Sequence, residues 1–424
     1  MKATILDEPD ARARRPRRAG AHHARLFALL GALYFAQGLP FGFFTQALPV
    51  MLRQLGVSLE GIGLTSLLAV PWALKFLVAP ALDRSSSRRR WLLALQLTTA
   101  GVLVLASRLD PTALVPILVV VFLVNALAAT QDIATDAIAV DEVSRARRGL
   151  ANGLQVGAYR VGMIAGGGAL LLAFDVLQWS GVFLVMAAAT LLTTLPVARW
   201  KEPPRQTPTG VATLRDFFTR PDAVPLLLLL FVFKFGEAFG VAMLKPRLVD
   251  LGASLGDVGL LVGTVGFLAG LVGAVTGGLL VNVVGRQRAL VGFGLTQALA
   301  VLAYVAVGKD TTFAGLAVVV GFEHFAGGLA TAALFTCIMD WSREGRAATD
   351  STVQASTVVI ATGVASALSG VSASALGYRT HFELAAVLAM LAALSAGVLF
   401  RRITQKERPC SPAALPSTPE PSTR

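Results

Sequence analysis

The sequence predicts an all-α membrane protein made of two similar halves, each with six transmembrane helices. Three observations lead to this fold class: the composition, the number of long apolar segments, and a repeat within the chain. The chain has 424 residues, of which 55% are hydrophobic and 15% charged, and its mean hydropathy is +0.68. A soluble domain needs more charged surface than this, so lipid is the expected solvent for most of the chain.

Long apolar segments recur along almost the whole sequence. A helix needs about 20 such residues to cross the hydrocarbon core of a bilayer. The first segment is too long for the core of a cleaved signal peptide, which favours a retained span over a removed leader. Twelve segments qualify: 26–51, 59–80, 91–107, 113–137, 150–174, 179–198, 223–245, 255–281, 289–307, 312–338, 349–372 and 382–400.

The second half repeats the first. Leu55–Leu64 (LGVSLEGIGL) matches Leu251–Leu260 (LGASLGDVGL), and further along an offset of 199 residues pairs Asp141 with Asp340, Arg147 with Arg346, and Gln155 with Gln354. Parallel repeats of this kind are typical of transporters in which the two halves move against each other. The predicted organisation is a basic tail (1–25), a six-helix half (26–198), a polar central loop (199–222), a second six-helix half (223–400) and a disordered tail (401–424).

The positive charges predict the orientation. Of the 37 Lys and Arg residues, 28 lie in segments that share one side of the membrane with both termini, and six lie on the other side. This bias predicts that both termini are cytoplasmic. It also accounts for the net charge of +12 without a nucleic-acid partner.

A compact charge pattern after the second span predicts a gate. In Pro71–Arg90 (PWALKFLVAPALDRSSSRRR), an acidic residue follows the apolar helix and arginines follow the acid; Gly277–Leu290 is a degraded second copy. Asp83 can pair with arginines or lie against a helix N-terminus, and breaking such contacts would favour another gate state. The alternative is that the arginines only enforce orientation. The residues assigned to gating are Lys75, Asp83, Arg84, Arg88, Arg89, Asp141, Arg147, Asp340 and Arg346.

Polar residues inside the spans predict the transport pathway, because ionisable groups at membrane depth usually face a cavity or a partner. We assign substrate binding to Gln37, Asn125, Arg160, Lys234 and His324, and proton coupling to Asp132, Asp136, Glu237 and Glu323. Simpler interpretations stay open: Lys234 and Glu237 form an internal ion pair, His324 is a core histidine, and Asp132 and Asp136 form an acidic helix end that pairs with Arg145, Arg147 and Arg148.

Other features predict no chemistry. No nucleophile–base pair, metal-ligand spacing or phosphate-binding loop appears in the sequence, and its two cysteines form no framework. We therefore expect no enzymatic activity, no cofactor and no metal. The pairs Gly162 with Gly166 and Gly266 with Gly270 have the spacing of close helix packing.

Three motifs carry a family resemblance. Gly38–Phe44 (GLPFGFF), Pro71–Arg84 (PWALKFLVAPALDR) and Ala129–Asp141 (ATQDIATDAIAVD) resemble the signatures of the peptide/acetyl-CoA transporter family of the major facilitators, which includes AmpG-type muropeptide permeases and siderophore importers of the RhtX/FptX type. The resemblance implies the major facilitator fold and a proton-driven importer in the bacterial inner membrane. It marks Lys75, Asp83, Asp132 and Asp136 as functional.

The resulting hypothesis is a secondary active transporter of an amphiphilic anionic solute such as a muropeptide. Its partners would be that solute, protons and the bilayer, and we expect a monomer. AmpG-type permeases can have two more spans than this chain has room for, so siderophore import is the alternative. A membrane sensor that binds its ligand without moving it is the alternative from another class.

Overall fold

Helices make up nearly all of the structure. The computed structural model describes residues 14–48, 68, 70–110, 113–170, 173–204 and 213–406. The first copy of the repeat, Leu55–Leu64, lies outside these residues, as do the first part of the predicted second span and parts of the tails and central loop. The α-helices are α1 (Arg14–Gly42), α2 (Val70–Leu74), α3 (Ala79–Arg84), α4 (Arg88–Ala106), α5 (Leu114–Glu142), α6 (Arg148–Met163), α7 (Phe174–Arg199), α8 (Leu214–Phe218), α9 (Ala223–Val241), α10 (Leu244–Asp250), α11 (Leu255–Val258), α12 (Phe267–Val284), α13 (Arg286–Ala303), α14 (Phe313–Trp341) and α15 (Ala347–Lys406).

The long helices fall where the sequence predicts apolar spans. Eight helical stretches of the described residues are long and apolar enough to cross a membrane. The last, α15, consists of two helices joined at a kink, because Gly377 adopts a φ of 77° that a right-handed helix cannot contain. The predicted segments 349–372 and 382–400 lie on either side of this kink. The predicted all-α membrane fold is confirmed, and the two cytoplasmic termini stay a prediction.

Short non-α segments interrupt several helices. Phe43–Ala47, Ile164–Ala169 and Gly259–Gly266 are π-helical, and Lys75–Leu77 is a 3₁₀ turn between α2 and α3. Such segments often occur at functional sites because they redirect side chains within a helix.

The two halves are joined at one end of the bundle. We call this the basic end: it holds the four loops that carry Arg84–Arg90, Arg145–Arg148, Arg286–Arg288 and Arg343–Arg346. A single apolar core there contains Leu82 and Val143 from the first half together with Met339, Ala347 and Ala348 from the second.

Away from the basic end, the apolar cores belong to one half each. One cluster, with Leu39 and Phe183, contains residues of the first half only. Two others, with Leu248 and Phe239, contain residues of the second half only. The halves therefore contact each other mainly at the basic end and separate beyond it.

Glycines allow the closest helix contacts. A Cβ on Gly149 of α6 would lie 2.2 Å from the carbonyl oxygen of Gly278 on α12, so only glycine permits this approach between the halves. Gly162 and Gly166 lie similarly against the backbone of α1, as their spacing predicts. The other predicted pair differs: the atoms nearest to a Cβ at Gly266 or Gly270 belong to the side chains of His324 and Arg160.

Candidate functional site

A cavity of about 670 Å³ lies between the two halves. Its polar lining includes Lys75, Asp132, Asp136, Gln155, Arg160 and His324, and its aromatic lining includes Tyr34, Trp72, Tyr159, Phe267 and Phe335. The lining extends to Lys245, which follows the end of α9 that is distant from the basic end. Such a pocket, mostly apolar with a few convergent polar groups, is the common form of a ligand site.

A buried ion pair forms one wall of the cavity. Lys75 occupies the 3₁₀ turn after α2, and its Nζ atom pairs with the carboxylate of Asp132 on α5. Both side chains are nearly excluded from solvent. The ammonium group also lies 5.7 Å from the ring centroid of Trp72, a cation–π distance. Removing either charge would leave the other buried and uncompensated.

A second carboxylate lies one helical turn from the first. Asp136 accepts hydrogen bonds from the Tyr34 hydroxyl at 2.9 Å and from the Gln155 amide at 3.2 Å. Both donors are neutral, whereas Asp132 has the cation of Lys75. The pair of carboxylates therefore shares one positive charge, an arrangement in which a proton can neutralise the excess negative charge.

The second half contributes its own charged cluster. Glu323 on α14 is buried; its carboxylate lies 2.8 Å from Nδ1 of His324 and accepts a hydrogen bond from the Gln297 amide at 2.8 Å. The expected ion pair between Lys234 and Glu237 on α9 is present at 2.7 Å. His324 lines the cavity, whereas its neighbour Glu323 does not.

The structure separates the predicted transport residues into two groups. Arg160, His324, Asp132 and Asp136 line the cavity together with Lys75, which the sequence analysis assigned to the gate. The remaining predicted residues lie behind the wall. The Gln37 amide donates to the Thr135 hydroxyl, and the Asn125 side chain accepts from the Trp72 indole. Lys234, Glu237 and Glu323 lie within the second half.

The alternative partners considered for the two aspartates are engaged elsewhere. Arg145 and Arg148 interact with Asp340, and Arg147 is exposed at the basic end. Asp132 pairs with Lys75 instead because the second span brings that lysine across to α5, a contact between residues 57 positions apart.

Asp83 joins the two halves at the basic end. Its carboxylate accepts hydrogen bonds from the backbone N–H groups of Ala348 and Thr349 at 3.1 and 2.8 Å, and from the Thr349 hydroxyl at 2.7 Å. These donors belong to the first turn of α15, where free N–H groups and the helix dipole favour an anion. Burial raises the pKa of Asp83 above its ordinary value, while these hydrogen bonds and Arg88 oppose the rise.

Asp340, the counterpart of Asp141, is an acid of the second half that pairs with the first half. Asp340 on α14 accepts from Arg148 of the first half at 2.9 Å and from Arg286 of the second half at 2.9 Å. Arg286 also donates to Asn282, the counterpart of Asp83, and to the backbone carbonyl of Arg145. Links between the halves at Asp83, at Asp340 and from Arg286 to the Arg145 carbonyl therefore close the basic end.

The other predicted gating residues act within one half. Arg88 pairs with Asp141 at 2.8 Å, and Arg89 donates to backbone carbonyls at the end of α7. Arg346 pairs with Asp216 of the central loop at 3.1 Å. Arg84 is exposed.

Several residues of the site were absent from the sequence-based assignment. In the cavity these are Tyr34, Trp72, Gln155 and Tyr159; at the basic end they are Arg148 and Arg286. Trp72 lies inside the Pro71–Arg84 motif and Gln155 is one of the repeated positions, so the sequence could have identified both as functional residues. Nothing in the sequence distinguishes the two tyrosines, because an aromatic residue in an apolar span normally packs in the core or lies at the membrane interface.

Comparisons with known proteins agree with this architecture. A family model described as the Major Facilitator Superfamily matches residues 30–249 and 226–421. Two solved structures share the fold at 16% identity: the fucose:proton symporter of Escherichia coli (TM-score 0.68, covering 90% of this chain and 98% of that one) and a human organic anion transporter (TM-score 0.69, covering 88% and 99%).

Sequence relatives are more specific. The anhydromuropeptide permease of Escherichia coli K12 is 31% identical over 338 residues, which cover 76% of this chain and 69% of that protein. An uncharacterized protein of Haemophilus influenzae is 32% identical over 383 residues, covering 84% and 90%. The putative transporter AmpG 4 of Rickettsia conorii is 26% identical over 390 residues, covering 86% and 94%. The chain therefore belongs to the Major Facilitator Superfamily, as an AmpG-type permease, and is a membrane transporter and not an enzyme.

Proposed function

We propose that this transporter imports a muropeptide across the bacterial inner membrane, driven by protons. The observation that carries the proposal is the cavity between the halves, whose lining contains two carboxylates that share one lysine and, in addition, the guanidinium of Arg160. The name of the Escherichia coli relative supports the substrate class.

The lining suits the chemistry of a muropeptide, which consists of amino sugars with an attached short peptide. Sugar rings present apolar faces that pack on aromatic side chains, and Trp72, Tyr159 and Phe267 provide such surfaces. The carboxylates of the peptide require cations, and Arg160 can bind a carboxylate through two parallel hydrogen bonds. The volume of about 670 Å³ falls within the usual range for sites that enclose small molecules.

Asp136 is the first candidate for carrying the proton. Its negative charge exceeds what Lys75 can compensate, because that lysine pairs directly with Asp132. A proton on Asp136 would remove the excess charge, and the Tyr34 and Gln155 side chains would then reorient around a neutral carboxyl group. Glu323, beside His324, is the second candidate.

Transport then requires the closed basic end to open. Opening would break the contacts of Asp83 with α15 and of Asp340 with Arg148, while the halves close beyond the cavity. The present arrangement is the conformer in which the cavity is sealed from the side that the arginine bias predicts to be cytoplasmic.

The test uses purified protein in liposomes that enclose a pH-sensitive dye. External muropeptide should acidify the lumen with wild-type protein and with Asp257→Asn, a matched variant whose carboxylate accepts from Ser254 at the start of the short helix α11 and does not line the cavity. Asp136→Asn should bind muropeptide and exchange it but give no acidification. If acidification persists in Asp136→Asn, another carboxylate must carry the proton. Binding without uptake in the wild type would support a sensor instead.

A further inference from the structure

Arg160 is a cation of the first half that contacts the second half inside the cavity. It lies on α6, eleven residues beyond Gly149, where α6 and α12 are in their closest contact; this is about 16 Å along the helix. At this level, the two helices no longer pack backbone to backbone, and the half-buried arginine side chain extends across the interval. Its Nη1 atom donates to the Phe267 carbonyl at 3.3 Å, and its guanidinium lies 5.8 Å from the Phe267 ring.

The position of this guanidinium depends on a glycine. A Cβ on Gly270 of α12 would lie 1.6 Å from Nη1 of Arg160, 2.6 Å from Cζ and 2.9 Å from Nη2. The guanidinium therefore occupies the space that any other residue at this position would fill. The absence of a side chain at Gly270 therefore makes room for the arginine, in addition to the close packing of this segment on Gly328 of α14.

One turn earlier, the same helix face accommodates the imidazole ring of His324. A Cβ on Gly266 would lie 2.6 to 3.0 Å from three ring atoms of His324. Both Arg160 and His324 line the cavity. Gly266 and Gly270 thus leave room for an imidazole and a guanidinium in the lining of the cavity that also contains the carboxylates of Asp132 and Asp136.

Arg160 has unused hydrogen-bonding capacity. A guanidinium has five N–H donors, and the described residues supply one acceptor, the Phe267 carbonyl. Within those residues no carboxylate lies within 4.0 Å of the guanidinium, and the nearby acids Glu237 and Glu323 already pair with Lys234 and His324. A cation held at membrane depth without a protein carboxylate indicates that its counter-ion is supplied by a ligand.

We infer that Gly270 positions Arg160 as a carboxylate subsite, with His324 beside it, and that the transported solute binds there through a carboxylate group. This inference deepens the proposed function and rests on it for the identity of the solute. Because the subsite joins α6 to α12, a bound carboxylate would contact both halves and so favour conformers in which they remain together around it.

The test compares two ligands that differ in one carboxylate: N-acetylmuramic acid and N-acetylglucosamine, which lacks the lactyl acid group. Binding to purified protein is measured by quenching of tryptophan fluorescence, since Trp72 lies in the cavity wall. Wild-type protein should bind the acid at least about tenfold more tightly, as expected for a charge-assisted bidentate contact. Gly270→Ala should reduce this preference to within about twofold. Gly263→Ala, two turns earlier with nothing within 4 Å of its Cβ position, should retain it.

Arg160→Gln provides the second test, since it adds no volume and removes the cation; it should lose the preference as Gly270→Ala does. The inference is overturned if the wild type does not prefer the acid, or if either folded variant keeps the tenfold preference. Uptake of muropeptide into liposomes decides the proposed function separately. A carboxylate preference without uptake would overturn the proposed function but support the subsite. Uptake without the preference would support the proposed function but overturn the subsite.

Discussion

Replacing Asp83 with asparagine should open the basic end. The carboxylate of Asp83 accepts three hydrogen bonds from Ala348 and Thr349 and is 1% exposed. An asparagine retains one acceptor oxygen and directs an NH₂ group toward the N–H donors of α15, so one or two charge-assisted bonds are lost. At roughly 1.5–3 kcal/mol each, the closed conformer would lose about 1.5–6 kcal/mol, which is at least about tenfold in the conformational equilibrium.

The assay is a distance measurement between spin labels on the two halves at the basic end. Ser86 and Glu344 are both exposed and lie on opposite halves, and Cys337 and Cys410 are replaced beforehand. Wild-type protein should give mainly the short distance, and Asp83→Asn should shift a large fraction to a longer one while remaining folded and transporting more slowly. Asp257→Asn should leave the distances unchanged. A wild-type distribution and wild-type uptake in Asp83→Asn would refute the assignment of this residue to the gate.

Three further perturbations test other parts of the account. Lys75→Met leaves Asp132 buried without its cation, which should cost about 3–5 kcal/mol and lower the melting temperature in detergent; adding Asp132→Asn should restore the melting temperature but not uptake, and an unchanged single variant would count against the pair. Glu323→Gln should reduce proton-driven accumulation and spare exchange in a counterflow assay. Intact uphill uptake in this variant would exclude Glu323 as the proton carrier. Gly149→Ala would place a methyl group 2.2 Å from a carbonyl oxygen of α12, which should push the halves apart at the basic end. Cysteines introduced at the basic end should therefore be labelled faster in this variant, whereas Gly101→Ala, with open space around it, should match the wild type.

Much of the fold could be predicted because its determinants are local. Runs of apolar residues define membrane helices one at a time, and the repeat reveals the two halves without any knowledge of their contacts. The importance of Asp83 was also predictable, since an acid at the end of a span followed by arginines is a compact signal. Its contact with the first turn of α15, at Ala348 and Thr349, could not be predicted from the sequence because the two segments are 265 residues apart.

The site was predicted less completely because it depends on contacts between distant segments. Local spacing placed Asp132 and Asp136 on one helix face, but only the packing of the second span against α5 supplies Lys75 as the partner. Depth along a helix identified Arg160 and His324 and equally identified Lys234, which the structure places behind the cavity wall. The spacing of Gly266 and Gly270 matched the pattern of helix packing, and nothing local distinguishes a glycine that faces backbone from one that faces a guanidinium.

The central claim is that protons drive muropeptide import, and uptake into right-side-out membrane vesicles tests it most directly. Vesicles with and without an imposed proton gradient would receive labelled anhydromuropeptide or a labelled ferric siderophore. We expect muropeptide to accumulate above the external concentration only when the gradient is present, and the siderophore not to accumulate. Accumulation that is indifferent to the gradient, or accumulation of the siderophore instead, would contradict it.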